Sequence, residues 1–178
     1  MRLLTCLLLA TGCASAPLEG PPLEFSNIES NLVIDDAFSA DERAGIEEGW
    51  AWWQFATGGS FEYTARHRND SRLWRVVRES GPFLGETRTR ESLIAINADG
   101  ITPPDGQPFR AEAFLGLVLH EMGHAAGIRA HSPAVADEGG HIPGTVMDEN
   151  VLLSCIDPVG LDAVCDLRGC AERRATCQ

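Results

Sequence analysis

Residues 114–131 read FLGLVLHEMGHAAGIRAH, and the fold expected for the rest of the chain follows from this stretch. His120 and His124 are four residues apart, so on an α-helix both imidazoles leave the same face one turn apart. Two neutral imidazoles in that arrangement can bind one zinc ion. Glu121 is rotated by about 100° from His120, which places its carboxylate beside the metal, where it can take a proton from a zinc-bound water.

The end of this predicted helix supplies the candidates for a third zinc ligand. Gly127 follows the last residue of the helical pattern, where helices commonly end in a left-handed conformation. A reversal of the chain there brings His131 back toward the metal. His141 is the main competing ligand, with Asp137 and Glu138 as further candidates.

A family resemblance rests on these residues. The run HEMGHAAGIRAHS, residues 120–132, resembles the long zinc motif HExxHxxGxxH of the metzincin metallopeptidases, most closely their matrixin-like branch. That family has its third histidine three residues after the glycine, whereas His131 comes four residues after Gly127. Either the loop carries a one-residue insertion around residues 129–130, or another residue is the third ligand.

A second feature of the same family is GTVM, residues 144–147. It is similar to the tight turn whose methionine lies beneath the zinc in metzincins, and Met147 would take that place. The alternative is an ordinary core methionine, which is the commoner role for this residue type.

The resemblance implies an α+β, metzincin-like zincin fold. It would have a twisted mixed β-sheet, an N-terminal helix, an active-site helix and a small C-terminal subdomain ending in a helix. The function implied is an exported zinc-dependent endopeptidase with Glu121 as general base. A peptide or protein substrate would bind in extended form along an edge strand at residues 83–87.

Two other functions stay open at this point. One is a lipid-anchored, non-catalytic zinc-binding protein on the same fold, although Glu121 would have no purpose in a mere scaffold. The other is a zinc hydrolase acting on a non-peptide amide.

The N-terminus is expected to direct export. Residues 1–12 contain an apolar run too short to span a bilayer, and LLATGC, residues 8–13, resembles the lipobox of bacterial lipoproteins. Cys13 would then be the lipidated first residue, anchoring the protein at the periplasmic face or the cell surface. Cleavage after residues 14–16 would instead release a secreted protein. Residues 13–24 are rich in proline and small residues and are expected to form a tether.

Residues 25–178 have the length of one domain with a real core. By the resemblance, an N-terminal subdomain runs to about residue 127 and a C-terminal subdomain covers residues 128–178. Ser39 and Glu42 form a capping box that opens a long helix. Asp157 suits the N-cap of a last helix that ends near Gly169. Strands are expected at residues 32–34, 60–65, 73–78, 83–87 and 93–97.

Four cysteines follow the zinc motif: Cys155, Cys165, Cys170 and Cys177. In an exported protein they favour two disulfides over a second zinc site, and three pairings are possible.

Asn97, Asp99 and Asp105 could ligate calcium, since oxygen-rich loops do so. Their spacing matches no calcium-loop signature, so two ordinary turns are the favoured interpretation.

Charge composition bears on the partners of the protein. The chain has no lysine, and its net charge is −12 at pH 7. No basic surface for nucleic acid is therefore expected, and membrane contact is expected only through the lipid anchor. Excess negative charge disfavours acidic substrates, although a net charge says little about a local cleft.

Overall fold

A computed structural model describes residues 32–61, 73–101, 111–129, 146–147 and 153–177. Within these residues the architecture is α+β, with a small mixed β-sheet and four helices, which confirms the predicted class. The signal segment with Cys13, the tether, and the ligand candidates His131 and His141 lie outside the described residues. Among the described residues no helix is long and apolar enough to cross a lipid bilayer.

The sheet has four strands in the order β1-β2-β4-β3. β1 pairs with β2 and β2 with β4 in parallel, whereas β3 pairs with β4 in antiparallel. Trp74, Val76, Ile94 and Ile96 are buried, and they give the two inner strands their apolar character. By the strand order, β3 lies at an edge of the sheet formed by the described strands. The strands are β1 Leu32–Ile34, β2 Trp74–Arg78, β3 Gly85–Arg88 and β4 Leu93–Ile96.

Three of the predicted strands match within one residue, and two predictions differ. β3 begins at Gly85, two residues later than predicted, because residues 81–84 form bends rather than ladder pairs. The strand expected at residues 60–65 lies mostly outside the described residues, and its two described members are not in a strand.

The first long helix, α1, covers Ala40–Ala56 and begins with the predicted capping box. The Glu42 amide donates to Ser39 Oγ at 3.3 Å, and the Ser39 amide donates to Glu42 Oε2 at 2.7 Å. These bonds satisfy two amides that a helix start leaves without a partner. Trp50 and Trp53 lie on the buried side of α1, as expected for core residues.

A short helix, α2, covers Ala98–Ile101, and the long helix α3 covers Ala111–Ala125. α3 packs on α1 and runs beside β3 and β4. Trp53 Nε1 donates a hydrogen bond of 3.0 Å to the Leu119 carbonyl of α3. This buried bond fixes the position of α3 along α1, just before the first histidine of the zinc motif.

The last helix, α4, covers Pro158–Arg168, with Asp157 as its N-cap and Gly169 at its end, as predicted. Two disulfides connect this region: Cys155, before α4, is bonded to Cys177, and Cys165, within α4, is bonded to Cys170. The structure thus confirms two disulfides and selects one of the three pairings that the sequence leaves open.

Candidate metal centre and cleft

His120 and His124 lie side by side on α3, as their spacing predicts. Their Nε2 atoms are 3.1 Å apart, and the two rings are inclined at 81°. His120 is 5% exposed and His124 is partly buried. The two Nε2 atoms therefore face each other in a largely buried position.

Backbone carbonyls fix the tautomer of both rings. His120 Nδ1 lies 3.0 Å from the Val146 carbonyl oxygen, and His124 Nδ1 lies 2.7 Å from that of Ile128. A carbonyl only accepts, so each Nδ1 carries its hydrogen, and in the neutral ring Nε2 carries a lone pair. Metal-ligating histidines commonly have this arrangement, in which the second nitrogen donates to a carbonyl and orients the ring.

The separation of the two nitrogens suits zinc. Zn–N bonds of about 2.0–2.1 Å at a tetrahedral angle place two ligand nitrogens about 3.3–3.4 Å apart. The observed 3.1 Å is close to that span. Two lone pairs at this distance repel each other, and a cation between them converts the repulsion into attraction.

The end of α3 produces one of these carbonyl contacts. The Ile128 amide donates to the Gly123 carbonyl and the Gly127 amide to the His124 carbonyl, which is the bond pattern of a Schellman motif. Gly127 has a φ of 113°, so the predicted left-handed end of the helix is confirmed. The resulting turn brings the Ile128 carbonyl back onto the His124 ring.

The side chain of Glu121 lies between its own helix, α3, and the edge strand β3. Its side chain is 4% exposed, and Thr87 Oγ1 of β3 is 2.7 Å from Glu121 Oε2 and 2.9 Å from the Glu121 carbonyl oxygen. Both oxygens only accept, so the single Thr87 hydrogen is shared between them, with the shorter contact to Oε2. Thr87 thus ties the Glu121 carboxylate to β3, a role for which its sequence context gave no signal.

Gly85, also on β3, is where the strand comes closest to this carboxylate. A Cβ at Gly85 would be 2.6 Å from Glu121 Oε1 and 2.9 Å from Glu121 Cδ. Such distances are too short for non-bonded atoms. Because Gly85 has no side chain, β3 can pack directly over the Glu121 carboxylate.

A cavity of about 620 Å³ opens beside these residues. Glu121 and His124 contribute to its wall from α3, and Gly85, Glu86 and Thr87 do so from β3. Further along, the wall is formed by Thr89, Arg90, Ile128 and Arg129. The candidate acid, one candidate ligand and the edge strand thus face one open space.

Met147 packs against the histidine-bearing helix. Its side chain is 1% exposed, and its sulfur occupies the space that a Cβ of Gly123 would need. The preceding residue, Val146, supplies the carbonyl at His120 Nδ1. Whether this segment is a metzincin turn stays a prediction, but it is in contact with the helix that carries both histidines.

α4 supports the site through both of its ends. Asp157 caps α4 through the Gly160 amide at 2.9 Å and also accepts from the Val146 amide at 2.6 Å. Arg168 Nε donates to the Ala126 carbonyl at the end of α3 at 2.8 Å. The sequence predicted Asp157 as a cap but gave no indication of its second bond or of the role of Arg168.

The described residues contain no group of three histidine, cysteine, aspartate or glutamate side chains that could hold a metal ion. The third-ligand candidates His131, His141, Asp137 and Glu138 all lie outside those residues, so the third ligand stays a prediction.

The calcium candidates stay a prediction as well, since Asp105 lies outside the described residues. The Asn97 side chain bonds backbone groups at Gly81, Phe83 and Gly100. Asp99 accepts from Arg78 at 2.6 and 3.1 Å, and these bonds hold the pKa of the Asp99 carboxyl below its usual value.

No protein-family model matches this chain, and comparisons with curated proteins and with solved structures find no match.

Proposed function

We propose that the protein is an exported, zinc-dependent endopeptidase with a metzincin-like fold. The observation that carries this proposal is the histidine pair, with both Nδ1 atoms bonded to carbonyls and both Nε2 atoms 3.1 Å apart. Without a metal, two histidines whose Nε2 lone pairs face each other would repel, whereas a bound cation makes the same arrangement favourable. His131 is the proposed third ligand, with His141 as the alternative.

Glu121 is the proposed general base. A bound zinc ion would supply a water of lowered pKa and polarise the peptide carbonyl. Glu121 would take the proton of the attacking water and pass it to the leaving amine nitrogen. Its burial and its bond to Thr87 support this role, because they restrict the orientations of the carboxylate and so keep it positioned for proton transfer.

The edge strand supports a peptide as the substrate. Among the described strands β3 has a sheet partner on one side only, and three of its residues line the cavity that Glu121 also lines. An extended peptide can pair with such an edge through main-chain hydrogen bonds. A small non-peptide amide would make no use of a strand edge.

The remaining parts of the proposal concern the turn and the location of the protein. Met147 is proposed as the methionine beneath the metal, which its burial against Gly123 supports. Cys13 is proposed as a lipid anchor. The two disulfides are consistent with an oxidising, extracytoplasmic environment.

Zinc stoichiometry of the purified mature domain is the first test, measured by elemental analysis. The wild type should hold one zinc, and His120→Ala and His131→Ala should lose it. His67→Ala is the control and should retain zinc, since His67 is the one histidine of the sequence outside residues 120–141. If His141→Ala loses zinc and His131→Ala does not, the third ligand changes while the proposal stands.

Glu121→Gln separates metal binding from catalysis. This variant should retain zinc and lose nearly all cleavage of an unfolded protein such as reduced casein. Full peptidase activity in Glu121→Gln would reject Glu121 as the base. Zinc binding without any cleavage in the wild type would favour the non-catalytic zinc-binding protein.

A further inference from the structure

The cleft wall carries two arginines that no other part of the described chain neutralises. Arg90 and Arg129 line the same cavity as Glu121 and His124, and both are exposed. Within the described residues, neither has a carboxylate partner. Arg90 and Arg129 are thus exposed cations at the cavity wall whose charge no described carboxylate offsets.

Most other described arginines are engaged. Arg168 donates to a backbone carbonyl, and Arg75 is exposed on β2, away from the cavity wall. The arginines paired with carboxylates are Arg43, Arg78, Arg88, Arg173 and Arg174. In a chain with a net charge of −12, arginines without a described acidic partner are unexpected, and two of them lie at one cavity.

The acidic residues of the same wall do not fully offset this charge. Glu86 lines the cavity, but its carboxylate is bonded to Arg88 at 2.7 Å. Arg88 also bonds both oxygens of Glu79, and these contacts raise the pKa of the Arg88 guanidinium. Glu121 is held by Thr87 beside the histidines. Arg88 offsets only one of the two carboxylates that it bonds, so among the described groups Arg90 and Arg129 leave one net positive charge here beyond Glu121.

Both arginines follow the ends of elements that line the cavity. Arg90 lies in the tight turn between β3 and β4, where the Glu91 amide donates to the Arg88 carbonyl at 3.0 Å and Ser92 has a φ of 51°. Arg129 comes two residues after Gly127, where α3 ends. The backbones of both residues thus lie beside elements that form the cavity wall.

We infer that the cleft selects peptides that carry a carboxylate within a few residues of the scissile bond, bound by Arg90 and Arg129. This inference rests on the proposed peptidase function. The carboxylate can belong to an internal Asp or Glu side chain or to the C-terminus of the peptide. Guanidinium groups bind either through paired N–H donors.

The proposed preference for peptides with a carboxylate is opposite to the preference expected from the negative net charge of the chain. A chain with charge −12 repels acidic peptides at long range, but within the cleft the nearest unpaired charges decide binding. Screening in salt of about 0.15 M reduces the long-range repulsion over roughly 8 Å, while contacts inside the cleft are screened less.

The test uses zinc-loaded mature protein and quenched fluorescent peptides built on a cleavage site mapped in reduced casein by mass spectrometry. Each of the three positions on either side of the bond carries Glu or Gln in matched pairs. A second pair compares a free C-terminus with a C-terminal amide. The readout is the ratio of kcat/KM within each pair, measured for the wild type, for R90Q, R129Q and R90Q/R129Q, and for R75Q as the control.

The wild type should prefer the acidic member of at least one pair by about fivefold at low salt, a magnitude typical of one or two exposed ion pairs. The ratio should fall to about one in R90Q/R129Q and in about 1 M salt, and stay unchanged in R75Q. The pair that responds identifies the source of the carboxylate. The single variants give the same comparison if the double variant fails to fold.

Two outcomes overturn the inference, and they are distinguishable. Cleavage with ratios near one, or a preference that survives in R90Q/R129Q, rejects selection by these arginines and leaves the proposed peptidase intact. Failure of the zinc-loaded wild type to cleave any peptide rejects the proposed function, and the inference with it.

Discussion

Gly85→Ala tests whether the close approach of β3 to Glu121 positions the proposed general base. An added Cβ would be 2.6 Å from Glu121 Oε1, whereas ordinary contacts begin at 3.4 Å. Glu121 Cγ and Cδ would also lie at 2.8 and 2.9 Å, so the whole Glu121 side chain has to move, its Oε1 by about 0.8 Å. The backbone itself accepts alanine, because Gly85 is not among the residues with positive φ.

The magnitude follows from that displacement. A misplacement of about 1 Å at a catalytic group can cost about 100-fold in rate, so kcat/KM should fall by about that factor. This corresponds to a loss of roughly 2.7 kcal/mol of transition-state stabilisation. The free energy of unfolding should not fall in parallel, since replacing glycine by alanine inside a strand gains about 0.5–1 kcal/mol, which offsets the local strain.

The assay combines three measurements on the same preparations. These are kcat/KM on a quenched fluorescent peptide, zinc content by elemental analysis, and the free energy of unfolding in urea. Gly81→Ala is the matched control, because its added Cβ would meet the half-exposed ring of Phe83, which can turn away. A Gly85→Ala protein with wild-type zinc content and wild-type activity would refute the positioning of Glu121 by β3.

Three further predictions concern the contacts around the site. Thr87→Val should retain zinc and lower kcat/KM about tenfold, with Thr87→Ser restoring most of it; equal activity in the valine variant would remove the hydroxyl from the mechanism. Asp99, whose pKa is lowered by Arg78, stabilises the fold above the unfolded pKa of about 3.9 and loses this contribution as the pH falls through its folded pKa. In metal-free protein, the difference in urea stability between wild type and Asp99→Asn should therefore shrink between pH 7 and pH 3, and a constant difference would contradict the assignment. Gly123→Ala should reduce stability by about 1 kcal/mol because the methyl group meets the Met147 sulfur, and Met147→Ala in the same chain should remove that strain, as measured by non-additive unfolding energies.

The features that the sequence predicts well are local ones. The capping box at Ser39, the cap at Asp157 and the left-handed residue at Gly127 are all confirmed. Each depends on residues within a few positions along the chain, where the geometry of a helix end leaves little choice. The juxtaposition of His120 and His124 is local for the same reason, since a helix fixes the direction of residues four apart.

Contacts between distant segments were not predictable in this way. Thr87 and Glu121 are 34 residues apart, and Asp157 is 11 residues from the Val146 amide that it binds. β3 begins two residues later than its strand propensity predicts, because ladder pairing with β4 sets where this strand begins. No spacing or composition in the chain indicates such partners.

Local sequence is enough to specify a helix with two imidazoles and a carboxylate at fixed angles, and four cysteines for two disulfides. Three-dimensional packing is needed to specify that Cys155 pairs with Cys177, that β3 covers Glu121 at Gly85, and that Arg88 bonds Glu86. Helix geometry repeats every few residues and can be read along the chain, whereas packing of the sheet edge against α3 depends on how all the elements fill one core.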